Sequence, residues 1–394
     1  MQITPHRVNT LRNCYAQRQH GVTLIEMMVA ITIGLILIAG IIELFVSNKH
    51  AYRIQEGSNV LNENGRYALN QIEYSLRMAD HWNGVKSWDP VNVDSRIDVD
   101  GSIGALTNNC TELPVSNSVL PPVGVGTAFA GFGLVGFDGT PANSPLGSCI
   151  PNSDYQANTD MIVVRYGEPL PGIQRNDLTS NLVLLGTPPG RQIMVHTTVG
   201  KRAVIYQAKD ASSLFDFGTG SAKTELQDKP LGDPDHYLSA YQAFKFEVYF
   251  IRRCASQDLG TANQCDAADD TIPTLTRLVL DTDGKTLIQQ DVIAGVEQMQ
   301  VSYGVDTDGN LSANQYKNAT EVTAAGQWGN VVEVRLSLVL RNLERDQAYK
   351  DIATYQLYGG AGGTGQAYTP DPSVQNFHRK VFNTTIQVRN LTRG

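Results

Sequence analysis

The sequence predicts an α+β protein: a long N-terminal α-helical stem, with a transmembrane first half, packed on a C-terminal antiparallel β-sheet domain. Three observations carry that expectation. From Val22 to Phe45 the chain is almost wholly apolar, with only Glu26 and Glu43 charged. From there to Asp80, apolar residues recur mostly at three- and four-residue steps. Beyond Asp160, short runs alternate apolar and polar residues in the period of a strand.

The apolar run is preceded by Arg7, Arg12 and Arg18, with no acidic residue before it. As a helix, Val22 to Phe45 would be about 36 Å long, enough to cross a bilayer core of about 30 Å. Its charge-free centre, Met27 to Ile42, is shorter than the ~20 residues of a usual span, so composition alone leaves the membrane reading open. The arginines set the orientation, with the leader in the cytoplasm and the long remainder outside. Glu26 does not fit an ordinary anchor. At mid-membrane depth a carboxylate costs about 2.5–3.5 kcal/mol, so either Glu26 has a partner or it lies near enough to the interface to stay hydrated. A secretory signal peptide would need a small-x-small cleavage site after the apolar run. Ile42-Glu43-Leu44-Phe45-Val46-Ser47 offers none.

The helix is expected to continue. Ala51, Ile54, Val60, Leu61, Tyr67, Ala68, Leu69, Ile72, Leu76 and Ala79 form an apolar stripe. Gly57 and Gly65 interrupt it, each at a cost of about 1 kcal/mol against alanine, and are candidate bends. From Trp82 to about Asp160 the texture changes to Pro121-Pro122 and many glycines, which read as long loops. Gly131 to Gly136 and Gly360 to Gly365 each match G-x-G-x-x-G. Neither opens a helix, so both read as flexible loops and not as dinucleotide sites.

Beyond Asp160, Met161 to Tyr166 and Ala203 to Tyr206 are short strand-like runs. Phe244, Phe246, Val248 and Phe250 alternate with Lys245, Glu247, Tyr249 and Ile251. Val332, Val334, Leu336, Leu338 and Leu340 alternate with Glu333, Arg335, Ser337, Val339 and Arg341, the clearest strand in the chain. A last strand is expected over Val381 to Asn390. Together these runs suggest an antiparallel sheet with one face covered by the helix.

Two acidic turns stand out, Asp281-Thr282-Asp283-Gly284 and Asp306-Thr307-Asp308-Gly309-Asn310. Asp306, Asp308 and Asn310 are calcium candidates, since oxygen-rich loops bind that ion. The EF-hand template would want glycine at Leu311 and glutamate at Lys317, and finds neither. Asp-Gly between strand-like runs is also a hairpin signal. No catalytic set is visible: His50, His81, His196, His236 and His378 are scattered, with no H-E-x-x-H and no G-x-S-x-G.

Gly21, then Thr23-Leu24-Ile25-Glu26 and an apolar helix, resembles the type III signal of type IV prepilins and pseudopilins. The resemblance implies cleavage by a prepilin peptidase between Gly21 and Val22, methylation of the new amino terminus, and an assembly role for Glu26. Val22 departs from the family, which usually has phenylalanine there. Three further stretches resemble PilW minor pilins of type IV pili: Asn62 to Leu69 running on to Arg77-Met78-Ala79-Asp80, the run Val301 to Gly309, and Arg379 to Asn390. The implied organisation is a leader over 1–21, a helix over 22–80 that is transmembrane in about 22–45, and a β-rich periplasmic or extracellular domain over 81–394 with loop-rich 82–160.

Loss of the leader takes net charge from −8 to −11, because it removes three arginines and no acid. That balance argues against a general nucleic-acid surface. Cys14 leaves with the leader. Sequence proximity then favours disulfides Cys110–Cys149 and Cys254–Cys265, which an oxidising periplasm would support. Zinc would want tighter spacing.

The resemblance implies a minor pilin, held in the inner membrane until extraction and acting by assembly, not catalysis. It implies a complex at the pilus tip that helps start the fibre. Its partners would be other minor pilins, the major pilin and, at the tip, an adhesin. No cofactor is expected, with calcium as the exception to test. A J-type pseudopilin of type II secretion is the nearest alternative, disfavoured by the long β-rich domain. A membrane-tethered enzyme or adhesin that uses the stem only as an anchor is the other.

Overall fold

The computed structural model of the chain describes residues 21–85, 97–99, 103, 106, 110–113, 129, 131–169, 193–198, 202–207, 239–257, 264–281 and 283–390. The chain divides into two compact units, Met1–Gly57 and Ser58–Gly394. The leader arginines, Cys14, Pro121-Pro122, Thr282 and His236 lie outside the described residues.

In the first unit the described chain is helix from Leu24 onward, the start of α1 (Leu24–Met78). None of its described residues is buried. It contains the only described helix long and apolar enough to cross a membrane.

The second unit begins within α1 and continues in two sheets. The first holds β1 (Ile97–Val99), β2 (Leu134–Phe137), β3 (Met161–Pro169), β4 (Ile193–Thr198), β5 (Arg202–Gln207), β6 (Ser239–Arg252), β7 (Thr274–Leu280) and β8 (Leu287–Ala294). Its spatial order is β1-β5-β4-β6-β3-β2, with β7 joining β6 to β8. β6 organises this sheet. Along one edge it pairs first with β4 and then with β7, and along the other with β3. All described pairings are antiparallel except β1 with β5.

The second sheet has the order β10-β9-β11-β14, with β9 (Val296–Val305), β10 (Gln315–Lys317), β11 (Val331–Arg341) and β14 (Arg379–Gln387). A short helix α2 (Ala319–Ala324) follows β10, closed at its start by a capping box of Asn318 and Glu321. β12 (Tyr355–Leu357) and β13 (Gln366–Tyr368) form a separate hairpin.

Within this unit α1 buries Leu61, Gly65, Ala68, Ile72 and Leu76, spaced by four, three, four and four residues. Ile72 and Leu76 are fully buried, each stabilising by about 1.5–3 kcal/mol. Asn62 accepts from Lys380 Nζ at 2.5 Å and so ties α1 to β14. The helix ends where Asp80 takes a left-handed backbone (φ 59°), a conformation that aspartate tolerates.

The two sheets are joined by Asp160, at the start of β3. Its amide donates to Met299 O at 2.9 Å, and its carboxylate accepts from Gly139 N at 2.8 Å and Val301 N at 2.7 Å.

Three expectations need correction. Gly131 to Gly136 is not a flexible loop: Leu134–Phe137 pairs with β3 as β2, and the glycines make room for neighbours. A Cβ on Gly133 would meet the Asp80 backbone, and one on Gly136 would meet the Tyr303 hydroxyl. Gly65 does not interrupt the helix, for α1 runs unbroken across it and that glycine is a packing contact. The third concerns β11, whose second face is not free. Ser337, Val339 and Arg341 are buried along with the apolar set, because the segment after β11 folds back over them.

Candidate assembly site

The helix start is built by Thr23 and Glu26. Thr23 N donates to Glu26 Oε2 at 2.9 Å and Thr23 Oγ1 donates to the same oxygen at 2.8 Å. Glu26 N returns a bond to Thr23 Oγ1 at 3.3 Å, and Met27 N bonds Thr23 O. This reciprocal pattern is a capping box, which satisfies amides that the first turn of a helix leaves unpaired. Gly21 and Val22 precede the helix as exposed chain outside any helix or strand. The structure thus brings Gly21, Val22 and Glu26 within two turns of one another, at the head of a helix whose apolar side chains from Leu24 to Val46 are exposed. The cap by Thr23 was not anticipated, although Thr-x-x-Glu before an apolar run is its signature.

In the second unit, α1 is keyed to the first sheet by a buried polar cluster. Ser75 Oγ lies 2.5 Å from Glu247 Oε2 and 2.9 Å from Tyr249 OH. Tyr249 OH donates to Glu247 Oε2 at 3.1 Å, and Arg277 closes the cluster at 3.6 Å from Glu247 Oε1. Burial pushes the Tyr249 and Tyr166 hydroxyls well up, with Glu247 adding to both, so both stay protonated donors.

The second sheet carries a deeper ion network. Arg379 Nε meets Glu297 Oε2 at 2.5 Å, and its Nη1 meets Asp351 Oδ2 at 3.2 Å. Arg341 Nη1 reaches Glu297 Oε1 at 3.3 Å, and Tyr355 OH donates to Asp351 at 2.8 Å. All four charged side chains are nearly inaccessible. Nothing in the sequence pattern marked Glu297 or Asp351, because their partners come from strands and loops distant in the chain. Buried Arg165 has its guanidinium lowered to about 9 by desolvation, yet donates to Phe132 O at 2.6 Å.

The cysteines form Cys110–Cys149 and Cys254–Cys265. The second loop is held further by Asp154, which accepts from Cys265 N, and by Asp270, which accepts from Ala255 N, Ser256 N and Ile272 N.

Asp306, Asp308 and Asn310 lie in the turn between β9 and β10, which pair as an antiparallel hairpin. Asp306 accepts from the amides of Asp308, Gly309 and Leu311. Asp308 accepts from Asn310 N and from the side-chain amides of Asn310 and Asn314. The carboxylate oxygens therefore face N–H donors. Among the described residues, no three of His, Cys, Asp or Glu converge as a metal site.

An apolar-headed N-terminal helix whose later turns lie on antiparallel sheets defines a membrane-anchored, pilin-like α+β protein. The model of the type IV pilus-assembly protein W family matches residues 248–390, and that of the prokaryotic N-terminal methylation motif matches 16–42. Together the matches support a type IV pilin-like minor pilin. The first spans β7 to β14 with the buried Arg379–Glu297 network, and the second brackets Gly21, Val22 and Glu26. No curated protein and no solved structure matches the chain.

Proposed function

We propose that the protein is a minor pilin that helps initiate the type IV pilus as part of a complex at its tip. Prepilin peptidase cuts between Gly21 and Val22 and the new amino terminus is methylated. The mature subunit waits in the inner membrane, with its β-rich domain outside the cytoplasm. It is then extracted and packs among other minor pilins and the major pilin, without catalysis. Glu26 is the group that selects a neighbouring stem, by pairing with that neighbour's amino terminus.

The observation that supports this reading is the Thr23–Glu26 capping box at the head of an exposed apolar helix, directly after Gly21. A carboxylate at that depth is costly unless paired, and its cap leaves lone pairs to accept a cation. The test is deletion of the gene with re-expression in a piliated cell. Surface pili should disappear or fall sharply and return with the wild-type chain. Co-purification from solubilised membranes should recover other minor pilins. Normal piliation of the deletion strain would refute the role.

A further inference from the structure

We propose that β14 is a strand-addition site, the free sheet edge on which a β-strand from a different pilus subunit pairs by main-chain hydrogen bonds. The inference rests on the pilus role proposed above and names a contact that the role does not require.

Among the described residues the backbone of β14 is paired on one side only. It ends the second sheet, with β11 as its neighbour. Asn342 N donates to His378 O and Val388 N to Val332 O, in register with the ladder between them. The even-numbered residues of β14 therefore turn their N–H and C=O groups to β11, while Val381, Asn383, Thr385 and Gln387 turn theirs outward. No described strand or loop supplies a backbone partner to those outward groups. The side chains of Asn383, Thr385 and Gln387 are exposed.

Open edges invite unwanted pairing, and proteins blunt them. The other described edges of the two sheets are blunted. β1 and β10 have three residues each and β2 has four. β8 carries Asp291 and, beside it, a register shift against β7. β14 has no such device. It is nine residues long, and its ladder to β11 runs without a shift. Val381-Phe382-Asn383-Thr384-Thr385-Ile386-Gln387 holds no charge, proline or glycine. Such an edge is a hazard to a free subunit and a ready interface for a paired one. What complements a row of donors and acceptors at strand spacing is another extended backbone.

Geometry selects the occupant. α1 runs along β14 in the same direction: Asn62 meets Lys380, Gly65 meets Phe382, and the carbonyls of Arg77 and Ala79 accept from Asn390 Nδ2. Two copies of this chain could join their β14 edges in two symmetric ways. With the axis perpendicular to the sheet, the strands are antiparallel and so are the two α1 helices. With the axis along the strands, the helices fall on opposite faces of the joined sheet. Neither sets two helices side by side and parallel, as stems packed in a pilus must be. Head-to-tail addition of copies would need a matching edge at the other end of the sheet, where β10 has only three residues. The occupant is therefore a strand of a different subunit, whose long free edge lies on the opposite side of its own sheet.

Hydrogen exchange and photo-cross-linking on the full chain test this. Amides of Val381, Asn383, Thr385 and Gln387 should exchange freely in the purified chain and several-fold more slowly in the complex co-purified from piliating cells. Those of Phe382 and Thr384, bonded to β11, should be protected in both. A photo-cross-linking amino acid at position 385 should give a heterologous product with another pilus subunit, identified by mass spectrometry. Thr385→Pro removes one outward N–H without touching the ladder to β11. It should leave the Tm nearly unchanged and lower both that subunit's co-purification and piliation several-fold. The proposal is overturned if the outward amides exchange equally fast in the complex, or if the probe captures nothing or only a second copy of this chain. A folded Thr385→Pro chain that assembles pili at the wild-type level would overturn it too. Failure of the pilus role reads differently, as unchanged piliation when the whole gene is deleted.

Discussion

Gly65 of α1 sits directly against the ring of Phe382 on β14: a Cβ added at Gly65 would fall 2.3 Å from the ring's Cζ. In an ordinary exposed helix, Gly→Ala stabilises by about 1 kcal/mol. Here the sign reverses, because the methyl group and the ring cannot both fit. Gly65→Ala should lower the Tm of the detergent-solubilised chain, and Phe382→Leu in the same chain should restore part of the loss. A rise in Tm for Gly65→Ala alone would show that the helix does not pack there.

The same contact shows what the sequence could and could not say. Leu61, Ala68, Ile72 and Leu76 declared their helix face through spacing alone, since the 3.6-residue period is a local property. Gly65 carries no such signal: the reason for it lies on Phe382, more than three hundred residues away. The strands over Ser239–Arg252 and Val331–Arg341 were legible from alternation, and that over Met161–Pro169 from its run of strand-forming residues. β9 alternates too, with Met299, Val301, Tyr303 and Val305 against Gln298, Gln300, Ser302 and Gly304, and what its alternation does not reveal is that both faces are buried. The site divides likewise. Gly21 and Glu26 are read from a contiguous pattern, whereas Glu297, Asp351 and Ser75 acquire partners only through tertiary folding.

Breaking the buried ion network from one side should be severe. Glu297→Ala leaves Arg341 and Arg379 without their shared carboxylate in a site closed to water, a change worth about 3–5 kcal/mol. Denaturant unfolding should show the midpoint fall by that equivalent. A change under about 1 kcal/mol would mean that water reaches the cluster.

Both disulfides should contribute to stability. The closed loops span sequence separations of 39 and 11, for which chain entropy gives about 3–4 kcal/mol each. Cys110→Ser with Cys149→Ser, and separately Cys254→Ser with Cys265→Ser, should each lower the Tm. The second pair should cost less than its loop length suggests, because Asp154 and Asp270 hold the same segment through backbone amides. Non-reducing peptide mapping that found crossed pairs or free thiols would contradict the assignment.

Asp160 links stability to pH. Desolvation holds its buried carboxyl well above the usual aspartate range, against the lowering effect of the Gly139 and Val301 amides. A folded-state pKa raised above the unfolded one means that the folded protein binds the proton more tightly. The stabilisation is fully present below the unfolded value and is lost as pH rises through the folded one. Unfolding midpoints measured from acid to neutral pH should show this decline, and Asp160→Asn should flatten it. The β9–β10 turn gives a second solution test. With its carboxylates facing N–H donors, millimolar calcium should leave the Tm unchanged, and a rise abolished by Asp306→Asn would reinstate the ion.

Glu26 has two separable roles, and glutamine distinguishes them. As a cap it needs only an acceptor that reaches Thr23 N, which a glutamine at that position supplies as well. As the partner of a neighbour's charged amine it needs a negative charge, since an amide cannot neutralise a cation in an apolar setting. Thr23→Ala removes one member of the box and should weaken the helix start by about 1 kcal/mol, with the carboxylate intact. If capping were the whole role, Glu26→Gln would support piliation and Thr23→Ala would fail as badly as Glu26→Leu. If charge pairing governs assembly, Glu26→Gln and Glu26→Leu should both be cleaved after Gly21, remain in the membrane and fail to build pili. Thr23→Ala should then retain a substantial share of assembly. Mass spectrometry of the amino terminus reports processing and quantitation of sheared pili reports assembly. We expect the second pattern, because a cap adds only local stability to a helix that the bilayer already supports, whereas an unpaired carboxylate beside a neighbour's amine fixes which stagger of two stems is allowed.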